Sequence, residues 1–456
     1  MTDFPVMMFE KYDTPVPRYT SYPTAVQFKP ISSSDYKARL KILDQEKRNL
    51  SIYIHIPFCR SMCLFCGCSV VLNRKEDKQQ KYVECLLQEI KMLGSFLQKR
   101  HSLKQLHFGG GTPTNLTESQ FSEIIIALKR YIVFSQEIEM SIEIDPRNII
   151  KDCGKKLGFL KRLGFNRVSF GVQDTDLQVQ EAVRRRQTKQ MTLQTFRWAK
   201  DLGFEGVNLD LIYGLPKQSK ETFKKTVECI LSMRPDRIAL FSYAKVPWLK
   251  PHQKAIKEID LPSQSEKFSI YRYARKAFVD NGYVPIGMDH FALPLDSLSK
   301  AFFAKSLDRN FQGYSLSVAS DMIGLGMSSI GYIQGGYFQN ERDIEAYQDK
   351  VLKKKLPIFR GYILNEDDHI RKWVIKKLMC DFEVDKLEFN SLFNKTFDQY
   401  FSNLDEKIKN LEEEGLVCFD GKRIVATKQG ELFIRIIAST FDQYYEYKLN
   451  QYSRSV

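Results

Sequence analysis

The chain has 456 residues, of which 43% are apolar and 27% are charged, and its formal net charge is +14 at pH 7. These values are typical of a globular protein with two or three domains and exclude a disordered or fibrous chain. No run of 18 apolar residues occurs and the first residues lack a basic-then-apolar signal, so we expect no membrane span and a cytoplasmic protein.

The distribution of charges and cysteines narrows the function classes further. Basic residues are spread along the chain with acidic residues between them, which favours a small polyanionic substrate over nucleic acid. The nine cysteines are an odd number, and four of them stand between Cys59 and Cys68. This argues against a disulfide framework and for a reducing compartment.

We expect residues 1–50 to form an N-terminal arm. Residues 14–24 contain three prolines and two tyrosines, and proline disfavours a helix both at its own position and at the preceding one. An extended arm of this kind is either a wrap over the surface or a lid over a site. A helix is predicted at 34–46, just before the first strand.

A cysteine-rich loop follows an apolar, strand-like run in the segment 51–69. Three, two and one residues separate its successive cysteines, which are Cys59, Cys63, Cys66 and Cys68. Tetrahedral zinc is one alternative, although no second cysteine pair follows at zinc-ribbon spacing. Three thiolates on one loop suit a cuboidal iron–sulfur cluster, either as an electron-transfer centre or with one iron left open for chemistry.

From residue 51 to residue 243, strand-like and helix-like patterns alternate. Apolar runs predict strands at 51–56, 105–108, 138–144, 167–172, 207–213 and 237–243. Helical periodicity lies between them at 77–97, 117–131, 188–202 and 219–232. The alternation predicts parallel βαβ units. Eight such units would close a barrel, so six predict an α/β fold with an open, partial six-strand barrel.

Polar residues and glycines recur where these strands end. The glycines 109–111 follow the second strand and allow a carboxylate to approach the backbone closely. Glu143 ends the third strand, Gln173 follows the fourth and Asp210 lies in the fifth. A buried carboxylate has to be paired or functional because burying it bare is costly. A structural ion pair would account for any one of them, but their recurrence on matching strands favours a functional site.

An αβ extension is predicted over 263–348, beginning with a helix at 263–281. Its single histidine, His290, is either a general acid or ligand or, more commonly for a lone histidine, a hydrogen-bonded structural residue. The glycine-rich segment 323–330 favours a tight turn over a phosphate-binding loop.

A mainly helical, winged-helix-like domain is predicted over 351–456. Its elements are helices at 367–381 and 388–414, a hairpin at 415–427 that turns on Asp420-Gly421, and a final helix after residue 430. Winged-helix folds often bind DNA, but a fold does not decide a function. We expect a cap packed beside the open barrel.

Several motifs run along nearly the full chain: PRYTSYPT at 17–24, Cys-x3-Cys-x2-Cys from Cys59, GGGTPT at 109–114, NLDLIYGLPKQ at 208–218, GMDHFALP at 287–294 and NFQGY at 310–314. Together they resemble oxygen-independent coproporphyrinogen III dehydrogenase, a family of the radical S-adenosylmethionine (SAM) superfamily. The resemblance implies a radical SAM partial barrel over 51–350, with the arm over its site. It also implies oxidative decarboxylation of two propionates of coproporphyrinogen III to vinyl groups, which gives protoporphyrinogen IX in haem biosynthesis.

The same resemblance implies one 4Fe–4S cluster and two SAM molecules. The implied cluster ligands are Cys59, Cys63 and Cys66. The implied contacts of the first SAM, which chelates the open iron, are Tyr53, Gly110, Glu143 and Ile330. Those of the second are Phe65, Gly111, Thr112, Gln173, Arg185, Asp210 and Ala244. Cys68 is expected not to bind the cluster, and its own role in the reaction is left open.

The implied partners are coproporphyrinogen III, a flavodoxin- or ferredoxin-like electron donor and an electron acceptor that the sequence does not identify. We expect a monomer that binds no nucleic acid. Arg18 and the neighbours of Arg185 are candidate propionate contacts, because the substrate carries four carboxylates.

Two alternatives from the same superfamily stay open. Haem chaperones share the cluster loop and GGGTP but bind and deliver haem, and radical methyltransferases act on haem. Cys68 and the PRYTSYPT arm argue against the chaperone, and the arm and GMDHF argue against the methyltransferase. A haem titration separates these readings, because a tight stoichiometric complex would favour either alternative.

Overall fold

The computed structural model describes residues 11–73, 76–446 and 452–454. Residues 1–10 of the predicted arm, and residues 447–451 and 455–456 of the predicted C-terminal domain, lie outside the described residues. The described strands, in chain order, are β1 (Lys29–Pro30), β2 (Asn49–Ile56), β3 (Phe58–Cys59), β4 (Val71–Leu72), β5 (Ser102–Gly110), β6 (Val133–Ile144), β7 (Arg167–Gln173), β8 (Gly206–Tyr213), β9 (Arg237–Ser242), β10 (Val284–Ile286), β11 (His290–Ala292), β12 (Leu307–Asn310), β13 (Gly313–Leu316), β14 (Asp321–Leu325), β15 (Ile330–Ile333), β16 (Gly336–Asn340), β17 (Ile358–Ile363), β18 (Glu383–Asp385), β19 (Val417–Phe419) and β20 (Arg423–Ala426).

One thirteen-stranded sheet forms the frame, in the order β1-β17-β16-β15-β14-β2-β5-β6-β7-β8-β9-β11-β10. Within it β2 and β5 to β9 are adjacent and parallel, which confirms the six predicted strands. The register places Ile56 beside Gly110 and Ile144 beside Phe170, so the carboxyl ends of these strands meet at one edge. β1 and β10 are the two ends of the sheet, which therefore stays open, as predicted for a partial barrel.

A seventh parallel strand, β14, lies on the other side of β2. Sequence reasoning missed it because the last three of its five residues fall within the glycine-rich segment 323–330, which predicted a turn. Antiparallel β15, β16 and β17 continue the sheet beyond it. The turn itself is confirmed between β14 and β15, where Gly326 has a φ of +83° and its carbonyl accepts from Ser329 N–H at 3.4 Å.

Helices connect and cover these strands. In chain order they are α1 (Ser33–Gln45), α2 (Glu76–Gly94), α3 (Glu118–Tyr131), α4 (Pro146–Ile149), α5 (Lys155–Leu163), α6 (Leu177–Ala182), α7 (Lys189–Asp201), α8 (Lys220–Met233), α9 (Gln264–Asp280), α10 (Ser297–Phe303), α11 (Ile344–Leu352), α12 (Glu366–Asp381), α13 (Lys386–Phe393), α14 (Phe397–Tyr400), α15 (Asp405–Glu413) and α16 (Ile434–Ser439). Within the described ranges, no helix has both the length and the apolar character that crossing a membrane requires.

Local sequence explains where these helices begin. Thr117 caps α3 because its hydroxyl accepts from Gln120 N–H at 3.2 Å, while the Gln120 side chain accepts from Thr117 N–H at 3.0 Å. The apolar face of α3 then buries Phe121 and Leu128 completely. A polar start and an apolar face at helical spacing thus set both the beginning and the orientation of the helix.

The helix predicted at the start of the αβ extension is confirmed as α9. The hairpin β10–β11 follows it, and β11 pairs with β9 at the edge of the parallel strands. His290 begins β11, and its Nδ1 lies 2.7 Å from a carboxylate oxygen of Asp289. The ring is also edge-on to Phe241 and Tyr314. His290 is therefore a paired and packed side chain, as the structural alternative requires.

The C-terminal domain combines α12 to α15 with a small sheet in the order β18-β20-β19. The predicted hairpin is confirmed as β19–β20, and in its turn the Asp420 carboxylate accepts from Lys422 N–H (3.1 Å) and Arg423 N–H (2.7 Å). The third strand, β18, pairs with β20 and was not predicted. Helices beside a small antiparallel sheet agree with the winged-helix-like expectation.

The single helix predicted at 388–414 is wrong. The chain forms α13, α14, a 3-10 turn (Ser402–Leu404) and α15 instead. Asn394 adopts a left-handed φ of 51° and ends α13, and the rings of Phe389 and Phe397 then pack with centroids 5.1 Å apart. A straight helix would hold residues eight apart at about 12 Å. Turning the chain back therefore buries both rings together.

The main sheet takes strands from both sides of the boundaries predicted at residues 50 and 350. β1 comes from the arm and pairs with β17, which follows residue 350. Sharing strands in this way does not show which segments fold as units. The division into 1–50, 51–350 and 351–456 stays a prediction.

The arm is extended and packed onto the rest of the chain. The described chain forms no helix over 14–24, and Tyr19 and Tyr22 are buried. Arg435 of α16 donates through Nε to the Pro17 carbonyl at 2.9 Å and also bonds the carbonyl of Val16. These bonds attach the arm to the C-terminal part of the chain.

Candidate functional site

The cysteine-rich loop is closed at its base. β3, which ends at Cys59, pairs in parallel with β4, and Asn73 N–H donates to the Cys59 carbonyl at 3.0 Å. Inside the loop, Cys66 N–H donates to the Cys63 carbonyl at 3.1 Å. These backbone bonds hold the cysteines on one short, compact loop at the carboxyl end of β2.

All nine cysteines are free thiols. Burial raises the pKa of Cys59 to about 11. At Cys66 a hydrogen bond from the Cys68 side chain outweighs burial and lowers the pKa to about 6, with Lys250 and His252 adding positive charge nearby. The hydrogen-bonded Cys66–Cys68 pair therefore favours a thiolate at Cys66, and a thiolate is the form that binds a metal.

The thiols of the cysteine loop match an iron–sulfur cluster in donor type. Among the residues that the structure describes, no group of three or more His, Cys, Asp or Glu side chains is arranged to hold one metal ion. Iron–sulfur clusters are held by cysteine thiolates, and Cys59, Cys63 and Cys66 supply three such groups on one loop.

A distant segment holds the loop from outside. Each of three side chains near the 3-10 turn Pro251–Ala255 contacts one loop carbonyl. The pairs are Lys250 Nζ with Cys68 O (2.7 Å), His252 Nε2 with Cys66 O (2.8 Å) and Gln253 Nε2 with Phe65 O (3.0 Å). The loop backbone is therefore oriented by residues about 185 positions further along the chain.

The loop forms one wall of a cleft of about 1590 Å³, counting its open mouth. We call this the cluster cleft. Twelve of the predicted site residues line it: Cys59, Cys63, Phe65, Cys66, Cys68, Gly110, Gly111, Thr112, Glu143, Gln173, Arg185 and Asp210. Residues from five parts of the chain thus converge, as their positions at matching strand ends predict.

Tyr53, Ala244 and Ile330 do not line the cluster cleft. Tyr53 lies behind its wall, where its hydroxyl is 3.0 Å from Nδ1 of His55. The Ala244 carbonyl accepts from Gln253, the residue that also bonds Phe65. Ile330 packs away from the cleft, against an apolar cluster that contains Tyr337 and Leu364.

Glu143 has fixed partners at the end of β6. One carboxylate oxygen accepts from Gly110 N–H at 3.0 Å, and the other lies 3.4 Å from Nε2 of His107. Burial by itself raises the pKa of Glu143, but the His107 and Gly110 contacts outweigh it and hold the pKa below its usual value. Glu143 is therefore a carboxylate that can accept from a cationic group in the cleft.

At two positions of the GGG segment only glycine fits, because neighbouring atoms lie too close for a side chain. Gly110 has a φ of +112°, and a Cβ there would lie 2.5 Å from the His55 ring. A Cβ on Gly111 would lie 2.6 Å from the backbone of Pro57. Gly111 N–H donates to Ile56 O at 2.8 Å. Any side chain here would push the segment away from the base of the cysteine loop.

Arg185 belongs to a buried ion network at Cys63. Its Nη1 lies 3.6 Å from Sγ of Cys63 and 3.2 Å from the Asp145 carboxylate. Arg147 donates to the same carboxylate at 2.6 Å and lies 3.8 Å from that sulfur.

The other two polar candidates lie deeper in the cleft. Asp210 accepts from Ser169 Oγ at 3.0 Å and from Asn208 Nδ2 at 2.7 Å, and burial raises its pKa to about 6. Gln173 ends β7 with a left-handed φ of 69°, next to a bulge in the β7–β8 register. This local turn directs the chain end toward the cleft.

The cluster cleft adjoins a second cavity inside the open barrel. This central cavity of about 930 Å³, counting its openings, shares Glu143, Ser169, Asp210 and Phe241 with the cleft. Arg18, a candidate propionate contact, donates instead to the carbonyl of Ser242 at 2.9 Å and lines neither space. The barrel interior thus offers room beside the cysteine loop.

Sequence reasoning missed several residues of the site. Asp145 and Arg147 come two and four residues after Glu143, at the cap and in the first turn of α4, and this position just after a strand end was a usable signal. Lys250 and His252 carry no local signal, because only folding brings their segment to the cysteine loop. His55 is also new: its Nε2 lies 2.8 Å from the carbonyl of Ser69, in the same loop.

Comparisons with known proteins agree with this architecture. A sequence model of the Radical SAM superfamily matches residues 53–230, and one of the HemN C-terminal domain matches residues 364–433. The first match covers the cysteine loop and most of the parallel strands. The second covers α12 to α15 and the β19–β20 hairpin completely.

Similar proteins extend over the whole chain. Proteins named oxygen-independent coproporphyrinogen III oxidase from Synechocystis and Escherichia coli are 38% and 39% identical, covering 100% of this chain and 98% and 99% of theirs. One from Helicobacter pylori is 40% identical over 96% of each chain. The solved structure of coproporphyrinogen III oxidase (HemN) from Escherichia coli, described as a radical SAM enzyme, superposes with a TM-score of 0.90 at 36% identity, covering 97% of this chain and 99% of that one.

Proposed function

Because the chain belongs to the family of oxygen-independent coproporphyrinogen III oxidases, we propose that the cluster cleft is where two propionates of coproporphyrinogen III are oxidatively decarboxylated. The enzyme is a radical SAM oxidoreductase of haem biosynthesis, and the product is protoporphyrinogen IX. Each propionate loses CO2, one hydrogen atom and one electron as it becomes a vinyl group. The observation that carries the proposal is the convergence of three loop cysteines with Glu143 and Asp210 on one cleft.

Cys59, Cys63 and Cys66 hold the 4Fe–4S cluster. Their support is the donor type, the closed loop base and the lowered pKa of Cys66 caused first by Cys68. Cys68 turns its carbonyl to Lys250, so its backbone is used for loop orientation. We assign Cys68 no ligand role.

The first SAM is held by Tyr53, Gly110, Glu143 and Ile330. Glu143 is a carboxylate at the strand end, held there by the Gly110 N–H at 3.0 Å, and a carboxylate suits the amino group of SAM. Tyr53 supports His55 from behind the cleft wall. Ile330, at the start of β15, packs on the apolar cluster of Tyr337 and Leu364 and not on the cleft, so its assignment to SAM rests on the resemblance alone.

A second SAM is held by Phe65, Gly111, Thr112, Gln173, Arg185, Asp210 and Ala244. Six of these seven residues line the cluster cleft. Asp210 offers a carboxylate and Arg185 a guanidinium, which suit the amino and carboxylate groups of an amino acid moiety.

When bound, the cluster and SAM supply the radical that removes hydrogen from the propionate. The chain has to orient the propionate beside them and to exclude water and oxygen. The arm suits this second task, because its tyrosines Tyr19 and Tyr22 are packed against the body of the protein.

The remaining partners follow from the same reaction. A reduced flavodoxin- or ferredoxin-like protein delivers the electron, and the exposed basic residues Arg60, Lys151 and Arg186 on the cleft wall suit an acidic donor of that kind. A separate acceptor takes the electron left after CO2 is lost. The enzyme works as a monomer.

An anaerobic assay tests the function. It combines reconstituted protein, SAM, a reductant, coproporphyrinogen III and a cell extract that supplies the acceptor, and it separates the tetrapyrroles by chromatography. We expect monovinyl and divinyl products that disappear in Cys63→Ala. SAM cleavage without vinyl products, together with tight stoichiometric haem binding, would contradict the proposal and favour a haem chaperone.

A further inference from the structure

A third cavity lies between the arm, the β12–β13 hairpin and α12. It measures about 1110 Å³ counting its mouth, and we call it the arm cavity. Its polar wall is formed by Ser21, Asp308, Arg309, Lys372 and Lys376. It shares no lining residue with the cluster cleft, but it shares Gln105 with the central cavity, which adjoins that cleft.

Two buried polar atoms in this wall have no hydrogen-bond partner among the described residues: Oγ of Ser21 and Nη1 of Arg309. The rest of the Arg309 guanidinium is held in place. Its Nε donates to the Arg18 carbonyl at 3.3 Å, its Nη2 lies 3.7 Å from Asp289, and it stacks over the Tyr314 ring at 4.3 Å. Arg309 therefore cannot turn to satisfy Nη1 without losing these contacts.

Lys372 adds an unpaired cation to the same wall. Its Nζ lies 3.3 Å from the centroid of the Tyr332 ring, and no acceptor or acidic partner contacts it in the described part of the chain. Burial lowers the pKa of Lys372 to about 7. Lys376, one turn along α12, is already paired with Asp308 at 2.6 Å.

Buried donors and cations are normally satisfied, because leaving them without a partner is unfavourable. In the arm cavity one hydroxyl, one guanidinium nitrogen and one ammonium lack an acceptor. The single carboxylate in the wall, Asp308, is taken by Lys376. A small anion with two oxygens is the group that satisfies such a set, and a carboxylate matches it in size and charge.

We propose that the arm cavity binds a propionate carboxylate of the tetrapyrrole, namely one that is not reacting in the cluster cleft. This inference rests on the proposed function. Coproporphyrinogen carries propionates around a macrocycle, so when one reaches the cluster cleft the others point elsewhere. A macrocycle in the central cavity would direct side chains both ways, because that cavity adjoins the cluster cleft at Glu143 and the arm cavity at Gln105.

The proposal gives the arm a specific role. Ser21 belongs to the arm, whereas Lys372 belongs to the C-terminal domain and Arg309 to the hairpin of the extension. The carboxylate site is complete only when these three parts meet. The arm is then part of the substrate site as well as its cover.

Binding of coproporphyrin III, the stable fluorescent porphyrin with the same four propionates, tests this inference by titration of the full-length protein. We expect Lys372→Met to bind it about tenfold more weakly and Ser21→Ala several-fold more weakly, while the tetramethyl ester is bound equally by all variants. Lys372→Arg keeps the charge and should bind within about twofold of wild type. The matched control is Lys409→Met, which removes an exposed cation elsewhere in the C-terminal domain.

The outcomes separate this inference from the function on which it rests. If wild type binds coproporphyrin III and the Lys372→Met and Ser21→Ala variants bind it equally well, the arm cavity is not a carboxylate site, although the enzyme assignment stands. If Lys372→Arg binds coproporphyrin III as weakly as Lys372→Met does, the positive charge of Lys372 is not what binds the porphyrin, and the inference also fails. If wild type does not bind the porphyrin, this inference falls, whereas the enzyme assignment is decided by the anaerobic assay with coproporphyrinogen III. Thermal unfolding of each variant confirms that it is folded.

Discussion

Arg185 Nη1 lies 3.6 Å from the Sγ of Cys63, while its Nη2 donates at 2.6 Å to the carbonyl of Gly171 in β7. One side chain therefore joins a cysteine of the loop to the barrel wall. Asp145 completes the network by accepting from both Arg185 and Arg147. The position of the loop depends on this buried charge network as well as on its own backbone bonds.

Replacing Asp145 should make the stability of the protein less sensitive to acid. Burial by itself raises the pKa of Asp145, but the charge of Arg185 and the hydrogen bonds from Arg147 outweigh it and lower the pKa from 3.8 to about 2. A lowered carboxyl pKa stabilises the fold above pH 3.8 and loses this effect as the pH falls toward 2. The full effect is about 2 kcal/mol.

Urea unfolding of cluster-free wild type and Asp145→Asn at pH 7 and pH 3 measures this. We expect the wild type to have a larger free energy of unfolding than Asp145→Asn at pH 7. This difference should be about 1 kcal/mol smaller at pH 3. Asp201→Asn, an exposed carboxylate on α7, should differ little from wild type at either pH. An advantage that is the same at both pH values would contradict the role assigned to Asp145.

Alanine variants of the three proposed cluster ligands should lose iron, whereas the alanine variant of Cys68 should keep it. Removing Cys59, Cys63 or Cys66 as single alanine variants should lower bound iron by at least about tenfold and abolish the visible absorption of the cluster, because each thiolate is a direct ligand. Cys68→Ala, from the same loop, serves as the matched control and should keep its iron. Loss of iron in Cys68→Ala, with iron retained in one of the other three, would mean that the ligand set is wrong.

Glu143→Gln should weaken SAM binding. The carboxylate is oriented by Gly110 N–H at 3.0 Å and is the anion we assign to the amino group of SAM. A charge-assisted hydrogen bond contributes about 1.5–3 kcal/mol, so the dissociation constant should rise by about 10- to 100-fold. Equilibrium dialysis of labelled SAM against cluster-loaded protein measures it.

The control for this variant is Glu139→Gln, in the same strand. Glu139 pairs with Arg167 at 2.9 Å and lines the central cavity instead of the cluster cleft. It should bind SAM like wild type. Equal SAM binding by Glu143→Gln would remove Glu143 from the site.

Arg435→Met should loosen the arm. Arg435 bonds the carbonyls of Val16, Pro17 and Arg454, so its loss frees acceptors on the arm and near the C-terminus. Burial lowers the pKa of Arg435 to about 9, which shows that its charge is costly here. Global stability can therefore change little while the arm opens locally.

Limited trypsin digestion followed by mass spectrometry measures the opening. Cleavage after Arg18 should be at least about tenfold faster than in wild type. Lys428→Met, a cation that is 90% exposed in the side chain, is the control and should digest at the wild-type rate. An unchanged rate in Arg435→Met would show that other contacts hold the arm.

Local sequence was sufficient for the frame of the fold. The six parallel strands and the helices between them follow from apolar periodicity, and α3 begins where Thr117 and Gln120 form a capping box. These signals act between residues a few positions apart, so they are visible without tertiary contacts. The break of the 388–414 segment was missed for the opposite reason, since packing of Phe389 on Phe397 overrides its helical pattern.

The candidate site divides in the same way. The cysteine loop, the glycine segment and the polar strand ends could be identified from the residues alone, because ligand spacing within one loop and the shared edge of parallel strands are set by local and regular geometry. Three other arrangements appear only in the folded chain: Lys250 and His252 hold the loop, Arg185 and Asp145 meet at Cys63, and Ser21, Arg309 and Lys372 line one cavity. These residues are tens to hundreds of positions apart, and no local pattern specifies which distant side chains a folded chain brings into contact.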